Sequence, residues 1–138
     1  MIVLDTNVLS ETLRPRPSPR ILEWLRSHPR TALFTTAITE AEIRFGLELL
    51  PAGKRRAALQ AAIAQIFESD LAGSVLPFDG AAAREYGALA ASRRRAGHPI
   101  SQADAQIAAI VRSRGAALAT RNVTDFSGCS FEVIDPWQ

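Results

Sequence analysis

The sequence contains little cysteine and histidine, and it has no long apolar run. Cys129 is the only cysteine among 138 residues, which excludes an internal disulfide and is typical of proteins in reducing compartments. No apolar stretch approaches the roughly 18–20 residues that a bilayer-spanning helix needs. No basic segment precedes the short apolar start, so a secretory signal is not expected. We therefore expect a cytoplasmic protein without membrane attachment.

The basic residues are almost all arginine, and the net charge is small. Lys54 is the only lysine among 16 basic residues, and the formal net charge is +2 with a pI of about 9.3. Guanidinium groups form planar contacts with phosphates and carboxylates, so clustered arginines favour a surface for nucleic acid or an acidic protein. Ordinary solvated helix ends explain such clusters equally well. The clusters are Arg14, Arg16 and Arg20; Arg55 and Arg56; and Arg93, Arg94 and Arg95.

Short apolar segments alternate with segments of helical periodicity. Strands are predicted at residues 1–4, 31–36, 73–78, 116–120 and 131–135. Helices are predicted at about 19–28, 37–50, 54–69, 79–94 and 101–113, with Ser18, Asp79 and Ser101 as N-caps. Strands that are apolar throughout are typical of a parallel sheet covered on both faces. The pattern predicts an α/β fold, a three-layer α/β/α sandwich with a mostly parallel sheet of about five strands, in a single domain over residues 1–138.

Two acidic residues stand out from their apolar surroundings. Asp5 directly follows the first strand, and ligands of open parallel sheets gather beyond the carboxyl ends of the strands. Glu42 is expected to project among apolar residues near the start of its helix. The apolar stripe expected to be buried there is Ile38, Ala41, Phe45 and Leu49. Each acid has a local alternative: Asp5 as a cap of the turn after the strand, and Glu42 as a first-turn acid or an edge residue.

Asp104 has the same relation to its own helix. It precedes Ile107, Ala108 and Val111 by three, four and seven residues, which places it on an apolar stripe. The segment "SQAD" also matches a capping box with Ser101 at the N-cap, so capping remains an alternative for Asp104. Three inward acids at one edge of one sheet cannot all be satisfied by local caps. Their coincidence favours a shared site.

A cluster of carboxylates indicates a metal site. Carboxylates within a few ångströms of one another raise each other's pKa unless a cation neutralises them. Oxygen ligands without cysteine or histidine select Mg²⁺ or Mn²⁺ rather than zinc. The two histidines, His28 and His98, both precede prolines and are not expected to be ligands. An acid-only site suits phosphodiester hydrolysis, because a bound metal lowers the pKa of a water and neutralises charge on the phosphate.

Four segments, in this order, resemble the PIN domain: "VLDTNVLSE", "AITEAEIRFGL", "ISQADAQIAAI" and "LATRNVTDF". More narrowly, the chain is similar to the VapC toxins of bacterial toxin–antitoxin pairs, closest to the FitB-like branch. The resemblance covers nearly all 138 residues. It implies an endoribonuclease that uses Mg²⁺ or Mn²⁺ to cut RNA. It also implies a homodimer and a cognate antitoxin, whose C-terminal segment lies over a groove beside the active site.

The resemblance assigns roles to residues of the first three motifs. Asp5, Glu42 and Asp104 take the acidic positions that bind the metal and carry catalysis. Asp5 and Asp104 would hold the metal directly, and Glu42 would hold the metal or its attacking water. Thr6 would position the cluster through its hydroxyl, and Asn7 would hold the turn.

The fourth motif departs from the family pattern. The fourth acidic position falls on Asn122, and Asp125, three residues on, either substitutes for it or is only a turn residue. The number of metals, one or two, stays open for this reason. Arg121 is a candidate for contact with the RNA backbone.

Two other functions are compatible with the same residues. Asn122 is also what a catalytically weakened PIN fold would show, one that holds an antitoxin or nucleic acid without cutting it. A phosphatase or phospho-acceptor would use Asp5 as a nucleophile. Such proteins usually carry a second aspartate two positions later, where this chain has Asn7. A metal-dependent ribonuclease is therefore the leading hypothesis.

Overall fold

A parallel sheet forms the centre of the fold. In the computed structural model, which describes residues 1–138, five strands lie in the order β3-β2-β1-β4-β5 and every neighbouring pair is parallel. The strands are β1 (Ile2–Leu4), β2 (Leu33–Thr36), β3 (Val75–Leu76), β4 (Ala117–Ala119) and β5 (Val133–Ile134). The strand order changes direction between β1 and β4. Ligands of open α/β sheets bind at such a point, beyond the carboxyl ends of the strands.

Six α-helices connect the strands. They are α1 (Thr6–Thr12), α2 (Pro19–Arg26), α3 (Ala37–Glu48), α4 (Lys54–Ala64), α5 (Gly80–Arg95) and α6 (Gln102–Ser113). Helix α4 continues into a π-helical segment at Gln65–Asp70, and short 3-10 turns lie at Arg30–Ala32 and Val123–Phe126. The side chains of Ser18, Asp79 and Ser101 each accept a hydrogen bond from the backbone N–H three residues on. All three predicted N-caps are confirmed.

The core lies on both faces of the sheet. On one face β1 and β4 pack against α5 and α6, and on the other β1, β2 and β4 pack against α1, α2, α3 and α4. Successive residues of a strand point to opposite faces, so Val3 belongs to the first layer and Leu4 to the second. The predicted three-layer α/β/α sandwich with a parallel sheet is therefore confirmed. No helix is both long enough and apolar enough to cross a bilayer.

Helix α1 is absent from the sequence-based prediction. It has seven residues and begins directly after β1, with Asp5 as its N-cap. An isolated helix of this length is unstable in water, and most of a short helix's stability comes from tertiary packing. Here Val8 and Leu9 are buried between the sheet and the neighbouring helices. The fold thus stabilises a helix that local sequence signals leave undetected.

The predicted inner face of α3 is wrong. Phe45 and Leu49 are 65% and 69% exposed, while Thr39, Ile43 and Leu47 are the buried residues of this helix. Two apolar stripes of helical spacing run along α3, and packing against the sheet, α1 and α4 selects the second one. As a consequence Glu42 is solvent-exposed rather than surrounded by apolar side chains. On α6 the prediction is confirmed, because Ile107, Ala108 and Val111 are fully buried.

Candidate active site

Asp5 is buried at the carboxyl end of β1 and is held by hydrogen bonds on both oxygens. Its side chain is only 3% exposed. Oδ1 accepts from the backbone N–H of Thr6 at 2.8 Å, and Oδ2 accepts from Thr120 Oγ1 at 2.7 Å and from Asn7 Nδ2 at 3.4 Å. Asp5 therefore caps α1, which is one of the two roles that the sequence left open, and it lies at the carboxyl end of β1.

The environment of Asp5 raises its pKa. Burial is the largest cause and lifts the pKa from the usual 3.8 to about 6, against the lowering effect of the hydrogen bonds from Thr120 and Thr6. The negative charges of Asp104 and Glu42 raise the pKa further. Asp104 lies on α6 and Glu42 on α3, so three separate elements bring carboxylates within electrostatic reach of one another.

Thr120 is the central residue that sequence reasoning missed. It is fully buried at the end of β4, beside β1. Its hydroxyl donates to Asp5 and accepts from Asn7 Nδ2 and from the backbone N–H of Asn122, both at 3.1 Å. The sequence does contain a signal for Thr120, because the strand segments "MIVLD" and "AALAT" both end on a polar residue. In-register parallel pairing of Leu4 with Ala119 places those polar ends side by side.

Thr6 connects Glu42 to the rest of the site. The Thr6 hydroxyl donates to Glu42 Oε1 at 2.8 Å and lies 3.1 Å from the hydroxyl oxygen of the fully buried Thr39. Glu42 is thus exposed but directed toward the acidic edge by this contact. Glu40, the only acid in the first turn of α3, instead pairs with Arg44 at 2.7 Å.

Asp104 is half-buried at the third position of α6. Its backbone N–H donates to Ser101 Oγ at 3.2 Å, so the Ser101 half of the predicted capping box is present. Burial raises the pKa of the Asp104 carboxyl, the Ser101 hydrogen bond lowers it, and the charge of Asp125 raises it. The charge of Asp104 thus acts on Asp5, and the charge of Asp125 acts on Asp104.

The segment after β4 brings Asp125, rather than Asn122, close to the acids. Asn122 is exposed at the start of the 3-10 turn, and its backbone N–H is bound to Thr120. Asp125 lies within that turn and is close enough for its charge to act on Asp104. Of the two residues that the sequence offered for the fourth position, Asp125 is the one whose charge acts on Asp104.

The donor set fits a hard cation, although no three ligands are fully assembled. Asp5, Asp104, Glu42 and Asp125 offer only carboxylate oxygens, which Mg²⁺ and Mn²⁺ prefer. No three His, Cys, Asp or Glu side chains lie close enough together to form a complete metal site as they stand. The raised pKa values of Asp5 and Asp104 indicate carboxylates whose ionised forms a divalent ion would stabilise.

Residues 2–127 of the chain match the PIN domain. The chain belongs to the PIN domain family. This PIN domain is 42% identical over 138 residues to VapC ribonuclease Y4jK of Sinorhizobium fredii, covering 100% of the chain and 99% of that protein. It is 38% identical over 137 residues to toxin FitB of Neisseria gonorrhoeae, covering 99% of each. The predicted resemblance to the VapC and FitB group is confirmed.

The fold agrees with the same family. The crystal structure of FitAcB from Neisseria gonorrhoeae matches this PIN domain with a TM-score of 0.92 at 38% identity. The match covers 100% of this chain and 99% of that one. The structural similarity therefore extends over the whole sandwich.

Arg121 of this PIN domain is engaged by the C-terminus. Its backbone N–H donates to Asn7 Oδ1 at 3.2 Å, which ties the end of β4 to α1. Its guanidinium lies over the ring of Trp137, 5.0 Å from the centroid, and its charge lowers the pKa of Glu11. The Arg121 side chain therefore packs on Trp137 at the protein surface beside α1.

A groove leads away from the acids between α1, α3 and α4. It has a volume of about 650 Å³ and begins at Thr6 and Glu42. Half of its lining residues are hydrophobic, and Arg14 and Arg55 add positive charge. The apolar lining includes Leu13, Ile43, Leu47, Leu50 and Leu59. Such a surface suits an extended or helical peptide segment with apolar side chains.

Proposed function

We propose that this PIN domain is a Mg²⁺- or Mn²⁺-dependent endoribonuclease and the toxin of a toxin–antitoxin pair. The observation that carries the proposal is the buried Asp5, whose raised pKa reflects burial and the charges of Asp104 and Glu42 on other elements. The similarity to proteins named VapC ribonuclease and toxin FitB supports the same reading.

In this proposal Asp5 and Asp104 hold the ion, and Glu42 holds either the ion or the attacking water. When bound, the ion supplies charge neutralisation at the scissile phosphate and lowers the pKa of a water. Glu42 is exposed, so its side chain can rotate toward Asp5 at little cost. Asp125 adds a fourth carboxylate beside Asp104.

The surrounding residues keep Asp5 oriented. Thr120 and the Thr6 N–H each bind one oxygen of the carboxylate, which fixes the plane in which the remaining lone pairs point. Asn7 secures this arrangement by donating to both Asp5 and Thr120 while accepting from the Arg121 N–H. Ligands held in this way are pre-organised for binding.

RNA is the proposed substrate because the acidic site fits phosphodiester chemistry and the protein carries clustered arginines. Single strands and loops can present a phosphate to a shallow site at the edge of a sheet. The exposed Arg94 and Arg95 at the end of α5 lie next to Arg93, which contacts the segment bearing Asp125. They are suited to bind the backbone phosphates on either side of the cleaved bond.

An antitoxin segment is the proposed occupant of the groove between α1, α3 and α4. The groove ends at Thr6 and Glu42, so a peptide lying in it covers the acids. A basic side chain on that peptide would pair with Glu42 and its neighbours. Binding would then exclude RNA and the metal together.

A homodimer is the proposed assembly. The stripe of α3 that faces solvent consists of Ala41, Phe45 and Leu49, and its two largest side chains are mostly exposed. Neither Phe45 nor Leu49 lines the groove, so this surface and the antitoxin surface do not compete. An exposed apolar stripe of this kind favours association with a second copy.

The proposal is tested by metal binding and RNA cleavage with the purified protein. We expect Mn²⁺ to raise the melting temperature and to be required for cleavage. Ligand binding at 100-fold excess over its Kd stabilises a fold by about 2.7 kcal/mol. Neutralisation by Asp5→Asn is expected to abolish both effects.

A binding module without catalysis is the second candidate. It is favoured by Asn122 at the fourth acidic position and by the incomplete assembly of the carboxylates. No melting shift with Mn²⁺ or Mg²⁺ and no metal-dependent cleavage would establish this candidate in place of the ribonuclease.

A further inference from the structure

Arg93, in the last turn of α5, binds two separate loops. Its Nε donates to the carbonyl of His98 at 2.8 Å. Its Nη1 donates to the carbonyls of Asp125 at 2.9 Å and Ser127 at 3.1 Å, and lies 3.6 Å from Cys129 Sγ. The His98 N–H in turn donates to the carbonyl of Arg93 at 3.0 Å, so this contact is reciprocal. One half-buried guanidinium thus serves three backbone carbonyls.

The two loops that Arg93 joins each lead to an acidic residue of the site. His98 lies three residues before Ser101, the N-cap of α6, whose hydroxyl binds the N–H of Asp104. The other loop carries Asp125 itself, in a turn that contacts α6, and the charge of Asp125 acts on Asp104. Arg93 therefore links the loop that leads to Asp104 with the turn that carries Asp125. The two carboxylates are both negative and repel each other.

Arg93 belongs to a long helix that is packed against its neighbour. Helix α5 has sixteen residues and packs along α6, the helix on which Asp104 lies. Asp125 by contrast is exposed on a 3-10 turn of four residues, in which Phe126 is the buried residue. A charged donor bound to the carbonyl of Asp125 restrains that turn against the repulsion between the two carboxylates.

We propose that Arg93 is a positioning residue that fixes Asp125 relative to Asp104 and thereby sets the affinity of the site for a divalent cation. This inference rests on the proposed metal-dependent function. It assigns Arg93 no contact with RNA or metal, and its effect passes through Asp125. A planar guanidinium is required because a lysine ammonium cannot serve both loops with the same fixed geometry.

The test is Mn²⁺ titration of the folded protein by calorimetry, with melting curves and RNA cleavage measured in parallel. We expect Arg93→Gln to weaken Mn²⁺ binding about tenfold, as loss of outer-shell support does at other metal sites. In cleavage assays at saturating Mn²⁺, we expect KM for RNA to stay unchanged. Arg94→Gln and Arg95→Gln are the controls, because they remove the same charge from exposed positions of the same turn. We expect both to bind Mn²⁺ as the unmodified protein does.

A double-mutant cycle separates positioning from general stability. Asp125→Asn alone is expected to weaken Mn²⁺ binding, and Arg93→Gln added to it is expected to cause little further loss. Independent, additive losses would overturn the inference, as would an Arg93→Gln protein that melts at lower temperature but binds Mn²⁺ normally. If Arg93→Gln does not fold, Arg93→Lys takes its place with the same expected direction. Failure of the unmodified protein to bind Mn²⁺ would overturn the proposed function itself, whereas normal binding by every Arg93 variant would overturn this inference alone.

Discussion

The hydroxyl of Thr120 donates a 2.7 Å hydrogen bond to Asp5 Oδ2 and joins the ends of two neighbouring parallel strands. The same hydroxyl accepts from Asn7 and from the N–H of Asn122, so it uses its full hydrogen-bonding capacity. Every buried polar side-chain atom of the protein has a partner. Asp5 is therefore held by a hydrogen-bond network that is centred on the buried Thr120.

Replacement of that hydroxyl tests the network. Thr120→Val keeps the shape of the side chain but leaves the buried Asp5 carboxylate without its Thr120 hydrogen bond, at an expected loss of about 1–3 kcal/mol in the free energy of unfolding. The pKa of Asp5 is expected to rise further, because Thr120 makes its largest pKa-lowering hydrogen bond. Denaturant unfolding and NMR titration of the Asp5 carboxyl measure the two effects. Thr124→Val, at an exposed position, should change neither.

Asp5 makes the stability of the metal-free protein depend on pH. Its pKa of about 6 in the folded protein exceeds the usual 3.8, so the folded state binds more protons than the unfolded state between these values. The free energy of unfolding is therefore expected to fall as pH rises from about 4 to above 6, by up to about 3 kcal/mol. The raised pKa of Asp104 acts in the same direction.

The substitution Asp5→Asn removes the main cause of this pH dependence of stability. We expect the metal-free variant to be more stable than the unmodified protein at pH 8, and the difference to disappear near pH 4. Urea unfolding of both proteins at both pH values, in the presence of a chelator, measures this difference in stability. A variant less stable at pH 8 would mean that Asp5 serves the fold alone.

Two glutamates on α3 form a matched pair for the metal site. Glu42 contacts Thr6 at the acidic edge, whereas Glu40 is paired with Arg44 on the surface. Glu42→Gln is expected to lower Mn²⁺ affinity about tenfold or more, because it removes a ligand charge while retaining the hydrogen bond from Thr6. Glu40→Gln should leave Mn²⁺ affinity unchanged. Equal Mn²⁺ affinities of the two variants would mean that Glu42 is not part of the metal site.

Gly46 offers a way to block the groove without disturbing the acids. It lines the groove, and a Cβ added to it would meet nothing within 4 Å. We expect Gly46→Gln to weaken binding of a co-expressed antitoxin about tenfold or more, since its side chain occupies space that the peptide needs. RNA cleavage should persist, and the free energy of unfolding should rise by about 0.5–1 kcal/mol from helix propensity.

Gly87 supplies the control for this substitution. It lies in the middle of α5, outside the groove, and a Cβ there also meets nothing within 4 Å. Gly87→Gln should give the same gain in stability and leave antitoxin binding intact. An unaffected antitoxin complex with Gly46→Gln would place the partner elsewhere.

The exposed apolar stripe of α3 predicts that the protein forms a homodimer. Phe45→Lys puts a charge at the centre of that stripe and is expected to convert a dimer into a monomer in light-scattering measurements. Ala57→Lys, on the exposed side of α4, is the control. A monomeric unmodified protein would contradict the prediction directly.

The strands, most of the helices and two of the acidic positions follow from local sequence signals. Asp5 and Asp104 were found because each interrupts a pattern, an apolar strand in one case and an apolar helical stripe in the other. Glu42 was selected with the wrong physical picture, since the stripe around it is exposed. Its place in the site comes instead from the Thr6 contact.

The sequence by itself determined the order of elements, their caps and the chemistry of the donors, because periodicity, capping and carboxylate oxygens are properties of short segments. Only the tertiary structure decided which face of α3 is buried, that α1 forms, that Thr120 binds Asp5 and that Arg93 binds the carbonyl of Asp125. These features depend on contacts between residues far apart in the chain. A short segment cannot encode them, because the free energy that selects them arises when the sheet and helices pack together.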